Sequence, residues 1–90
     1  MKKNEGFMSK FASSLEMPKD VVLGGMNLRI IGQYEAYIEN YKSIIEYTAE
    51  LIRLQGRHNK IMLTGHNLKI VDYSKDDMHI RGIIQKIVFI

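Results

Sequence analysis

One phrase occurs twice in this chain of 90 residues. Leu23-Gly24-Gly25-Met26-Asn27-Leu28-Arg29-Ile30-Ile31 returns as Leu63-Thr64-Gly65-His66-Asn67-Leu68-Lys69-Ile70-Val71. Across windows 21–32 and 61–72 five of twelve positions are identical, and Val21/Ile61, Arg29/Lys69 and Ile31/Val71 keep their chemical type. Each copy passes from a short apolar stretch through a Gly into Leu-basic-Ile, the period-two alternation of a strand with one face buried. The expectation is a hairpin used twice, in a chain built from similar β units rather than shaped around one reactive site.

The rest of the chain extends this pattern. Gly24-Gly25 suits a tight reversal between Val21–Leu23 and Asn27–Ile31, and Ala36–Asn40 reads as a third strand. Further on, Ile61 and Leu63, then Leu68 and Ile70, then Met78 and Ile80 alternate with polar neighbours and form the inward set. Turns are expected at Gly65-His66, Ser74-Lys75-Asp76-Asp77 and Gly82, which would give an antiparallel meander. The last run, Ile83–Ile90, is apolar on both faces, and Met62 and Val71 also put apolar groups on the nominally outer side. A second layer, an N-terminal helix or another subunit must cover that face.

Two segments read differently. Phe7, Met8, Phe11, Ala12 and Leu15 recur at helical spacing before Pro18, which predicts a short amphipathic helix that must dock on something to be stable. Residues 43–55 satisfy two patterns. Ser43-Ile44-Ile45-Glu46 fits a capping box, with Ile44, Ile45, Thr48, Leu51, Ile52 and Gln55 on one helical face and Gly56 placed as a cap. The β-branched content of Ile44–Thr48 and the alternation of Glu50–Leu54 instead favour strands, so local pattern leaves the two open.

Composition narrows the function classes. A chain this short buries only about 60–65% of its unfolded surface, which leaves little room for a deep pocket. Cys is absent, so neither a disulfide nor a thiolate–metal framework is available. The net charge of +3 comes from 13 basic and 10 acidic side chains that are interspersed, the pattern of a solvated surface. No apolar run reaches the ~18 residues that span a bilayer, and the N-terminus lacks the apolar stretch of a signal peptide.

Catalytic and metal chemistry find no clear residue set. His58 and His66 fall at expected turns, and His79 falls on an outward strand face beside Asp76-Asp77, without the HxH or HxxxH spacing of a metal site. Asp76-Asp77 reads as a turn former rather than an acid–base pair, and no nucleophile elbow or phosphate-cradling Gly loop occurs. Five tyrosines (Tyr34, Tyr37, Tyr41, Tyr47 and Tyr73) interleave with Arg29, Arg53, Arg57, Lys69, Arg81 and Lys86. That arrangement supports an alternative, a small basic β domain binding single-stranded nucleic acid by stacking and phosphate neutralisation. The acidic Glu35, Glu39, Glu46 and Glu50 in the same segments weigh against it.

The runs Ile45-Glu46-Tyr47-Thr48, Glu50–Leu54, Lys60–Ile70, Asp77–Ile84 and Ile87-Val88-Phe89, with Pro18–Val22 and Ile38–Lys42, resemble the YabP/YqfC family of endospore-forming bacteria, YqfC type. The resemblance implies an all-β region, which turns Thr48–Gln55 from helix to strand. It also implies a role in sporulation, with no catalytic residue to carry over and a membrane-embedded stage IV sporulation protein as candidate partner.

The fold expected is all-β, an antiparallel meander forming a small roll or two-layer sheet, with residues 1–17 as an N-terminal amphipathic helix or arm and residues 18–90 as the β domain. The function expected is that of a non-enzymatic structural or assembly protein in endospore formation. It would act by self-association as a homo-oligomer or by binding the membrane-embedded partner, without cofactor, metal or small-molecule substrate. The location expected is the cytoplasm of the sporulating cell, at the periphery of the forespore membrane. Its contact residues would be Phe7, Phe11 and Leu15 on the helix and Met62, Val71 and Val88 on the back of the sheet.

Overall fold

Residues 24–90 are described by a computed structural model, and in them the period-two segments form six strands. These are β1 (Asn27–Ile31), β2 (Glu35–Glu39), β3 (Tyr41–Tyr47), β4 (Leu51–Gly56), β5 (Lys60–Tyr73) and β6 (Asp77–Phe89). They make one antiparallel sheet in the order β1-β2-β6-β5-β4-β3. Strands β3 to β6 form the expected meander, and the β1–β2 hairpin attaches to its far side through β6. The expected N-terminal helix falls in residues 1–17, outside the described residues.

The segment open to two readings is strand–turn–strand. Thr48 reverses the chain, since its backbone N–H donates to Leu51 O at 2.7 Å while its hydroxyl accepts the Leu51 N–H at 2.9 Å. Ile52 and Leu54 are fully buried on one face while Leu51 and Arg53 lie partly exposed on the other. Burial with period two decided here against a capping signal that would have gained no apolar contact beyond its own turn.

Two expected turns are absent. Gly65-His66 and Gly82 both lie inside long strands, where they bend the β5–β6 pair. The register slips between His66 and Lys69, Asn67 takes φ 54°, and Gly82 takes φ 145°. The second copy of the repeated phrase is therefore one bent strand rather than a hairpin. Its glycine permits backbone crossing: a Cβ on Gly65 would overlap the Ile83 carbonyl, and one on Gly82 would lie 2.6 Å from Asn67 O. Bulges of this kind bend a strand without ending its pairing.

The bend lets the sheet curl over itself. One half of β6 (Asp77–Arg81) carries β2 and β1, while the first half of β5 (Lys60–Thr64) carries β4 and β3. At the opposite end Asn40 alone joins β2 to β3, with φ 67° and its N–H donating to Asp76 O at 2.8 Å. The Tyr41 hydroxyl then donates to Ser74 O at 2.7 Å across the same corner. Burial pushes the Tyr41 phenol up from 10.0, helped by Tyr73, Asp76 and Asp77, so the donor keeps its proton.

The core lies within the curl. Ile38, Ile52, Leu54, Ile61, Leu63 and Ile80 are fully buried, joined by Ala36, Tyr41, Leu68, Met78 and Ile84. Five of the six residues expected to point inward along β5 and β6 are buried, and Ile70 is half-buried. Each fully buried Ile or Leu contributes about 1.5–3 kcal/mol, enough to hold the register of both halves. The sheet does not close, because β1 and β3 are its two edges and are not neighbours.

Candidate interaction surface

Two outward faces carry the side chains of interest. On the half built from β1, β2 and β6, cross-strand register places Arg29 beside Tyr37 and Tyr37 beside His79. The Tyr37 and His79 rings stack at 4.1 Å with an interplanar angle of 12°, and the Arg29 guanidinium lies 4.7 Å from the Tyr37 ring centre. Glu35 closes this cluster: its Oε1 accepts from the Tyr37 hydroxyl at 3.2 Å and from His79 Nε2 at 2.9 Å, with Arg81 Nε at 4.0 Å. The His79 hydrogen bond leads in holding the Glu35 carboxyl below 4.5, with Tyr37 and Arg81 adding to it and partial burial opposing it.

Sequence reasoning placed His79 beside Asp76-Asp77; its partner is instead Glu35, on β2. The β2–β6 pairing that unites them joins residues 44 apart in the chain, and local pattern carries no signal for it. His58 lies in the β4–β5 turn and His66 at the bend. Among the described residues no group of three His, Cys, Asp or Glu could hold a metal ion. Tyr37 is flanked by Arg29 on one neighbouring strand and His79 on the other, Tyr41 is buried, and the Tyr47 hydroxyl accepts from Ile70 N at 3.0 Å. Three of the five tyrosines considered for base stacking are thus engaged within the domain.

The second face belongs to β4, β5 and β6. There Arg53, Met62 and Val88 stand side by side across three strands, and Arg53 reaches Glu46 on β3 at 3.2 Å. Of the expected contact residues, Met62 and Val88 are therefore cross-strand partners, both partly exposed. Val71 is exposed but lies apart from them, at the register shift between Ile70 and Asp72. Phe7, Phe11 and Leu15 lie outside the described residues.

Sequence reasoning did not single out a third group, at the bend. Ile31 at the end of β1 and Tyr34 in the β1–β2 turn are exposed, as is Ile83 next to Gly82, whose N–H donates to Tyr34 O at 3.1 Å. An open groove lined by Tyr47, Thr48, Ala49, Asn67, Leu68 and Lys69 runs along the other side. Among the described residues no helix is long and apolar enough to cross a membrane.

Comparison with known proteins adds a family. The model of the YabP family matches residues 23–90. The chain is also similar to the uncharacterized protein YqfC of Bacillus subtilis (strain 168), at 22% identity over 77 residues that cover 86% of this chain and 83% of that protein. No solved structure matches.

Proposed function

Because this chain belongs to the YabP family, we propose that it is a non-catalytic assembly protein of spore formation that works by contact. It joins copies of itself or binds a membrane-embedded sporulation protein, from the cytoplasmic side of the forespore membrane. The observation that carries this reading is the amount of apolar surface left exposed. Among the described residues eleven large apolar side chains are exposed, against ten buried in the core besides Ala36, and exposed apolar patches on small domains mark surfaces that meet other molecules. The bend group Ile31, Tyr34 and Ile83 and the row Met62–Val88 are the contacts favoured.

Light scattering on the size-exclusion peak, together with pull-downs from sporulating cells, tests the reading. The expected result is an oligomer, or recovery of a sporulation membrane protein, weakened by Ile83→Asp or Val88→Lys with little change in melting temperature. A monomer at every concentration that recovers no such protein would overturn it.

A further inference from the structure

The curl has two open sides, and they differ. On one side, between β3 and the end of β5, Ile44 and Tyr47 stand opposite the fully buried Leu54 and Ile52 and so point toward the core. That side is stitched by Tyr41 Oη to Ser74 O at 2.7 Å, Ile70 N to Tyr47 Oη at 3.0 Å, and Leu68 N to Ala49 O at 2.8 Å. On the other side, between β1 and the end of β6, Leu28 and Ile30 stand opposite Ile38 and Ala36, and Ile87 and Phe89 opposite Leu63 and Ile61. Backbone bonds join this side only at the bend, from Gly82 N to Tyr34 O at 3.1 Å and from Ile84 N to Gln33 O at 2.8 Å, and no tyrosine hydroxyl crosses it among the described residues. All four opposing residues are fully buried, yet Ile30 is 40% exposed and Phe89 62%, against 39% for Ile44 and 47% for Tyr47 on the stitched side. Side chains aimed at a core and left exposed mark a place where, among the described residues, a piece of the core is missing.

The position of the chain before β1 says what that piece is. Asn40 Nδ2 donates to Gly25 O at 3.1 Å, and the Met26 side chain covers Gly56. Ile90 pairs with Lys60 in both directions, at 2.9 and 3.3 Å, so the Gly56–Lys60 turn adjoins the start of β1 on one side and the end of β6 on the other. Gly24, where the described residues begin, therefore lies at the end of the seam where Phe89 is. In residues 1–23 the apolar residues at helical spacing are Phe7, Met8, Phe11, Ala12 and Leu15. A helix from Phe7 to Leu15 would be about 14 Å long, against about 17 Å for the five residues of β1. Eight residues between Leu15 and Gly24 reach as far as about 28 Å, ample to fold back.

We infer that residues 1–23 occupy the seam between β1 and the end of β6 in the same molecule, with Phe7, Phe11 and Leu15 seated against Ile30 and Phe89. The stripe thereby completes the core and is withheld from partners, leaving the bend group and the Met62–Val88 row as the surfaces that meet other molecules.

The chain has no Trp, so the full-length Phe11→Trp variant reports the environment of the stripe alone. The expected emission is blue-shifted and independent of protein concentration. It returns to the wavelength of exposed indole when Phe89→Asp or Ile30→Thr is added, and stays blue with Ile44→Asp, which alters the stitched side. Far-UV circular dichroism of each variant checks that the sheet persists. Emission typical of exposed indole in the parent variant, or loss of the shift with Ile44→Asp and not Phe89→Asp, would overturn the inference. A shift that grows with concentration would also do so, since a second copy would then fill the seam. The oligomer of the proposed function is read separately by light scattering, so either idea can fail alone.

Discussion

Glu35 gathers Tyr37, His79 and Arg81 around one carboxylate oxygen, and each of these partners favours its charged form. A carboxyl held lower in the native state than in the unfolded chain adds stability that is present in full above the unfolded value. That stability is lost as pH falls through the lowered native value. Wild-type protein should therefore lose stability in urea titrations as pH drops below 4.5. Glu35→Gln, which cannot titrate, should show a shallower loss over the same window; equal slopes for the two proteins would remove Glu35 as a source of acid sensitivity. Tyr41 follows the opposite sign, since its raised phenol contributes below 10.0 and is lost only as pH rises through the higher native value.

The two edge strands are built differently. Strand β3 carries two register shifts in seven residues, at Tyr41/Ser43 and Ile44/Glu46, while β1 pairs with β2 in unbroken register. Bulges spoil an edge as a template for a further strand, so β3 is blunted by its own backbone. The glycines also divide by element. Gly32, in the β1–β2 turn at φ 60°, has only the Tyr34 ring at 3.8 Å from an added Cβ. Gly82, at φ 145°, is crossed closely by the backbone of Asn67 and Leu68. Chemical denaturation should thus give a cost of about 1–2 kcal/mol for Gly32→Ala, the left-handed term alone. For Gly82→Ala the cost should be about 2–4 kcal/mol, because strain and overlap add. Equal costs would mean that the bend yields easily.

A domain this small rests on few side chains, which makes the contrast between core and surface steep. Ile80 is fully buried opposite Ile70 and Ala36, at the junction of both halves of the sheet. Ile80→Ala should cost about 2–5 kcal/mol, a large fraction of the stability of the whole molecule. Val71→Ala, at an exposed bulge, should stay within about 0.5 kcal/mol. Thermal denaturation of the two variants side by side checks this, and similar melting temperatures would place the core elsewhere. The seam belongs to this scale too, since β1 and β6 are the first and last strands of the described residues and only the curl of the sheet brings β1 alongside the end of β6.

Alternation of apolar and polar residues by itself determined that residues 60–80 are β, which way Ile61, Leu63, Leu68, Met78 and Ile80 face, and where Ser74–Asp77 turns. These depend on the side-chain period and on turn chemistry, both local properties. The tertiary structure alone decided whether Gly65 and Gly82 reverse the chain or bend it, because a glycine permits either and the choice depends on which backbone crosses it. It also decided that β2 pairs with β6, and with that Glu35 meets His79 and β1 comes to border the seam along the end of β6. Those contacts close long loops around a shared core, and their energy comes from burial that no short stretch of sequence contains.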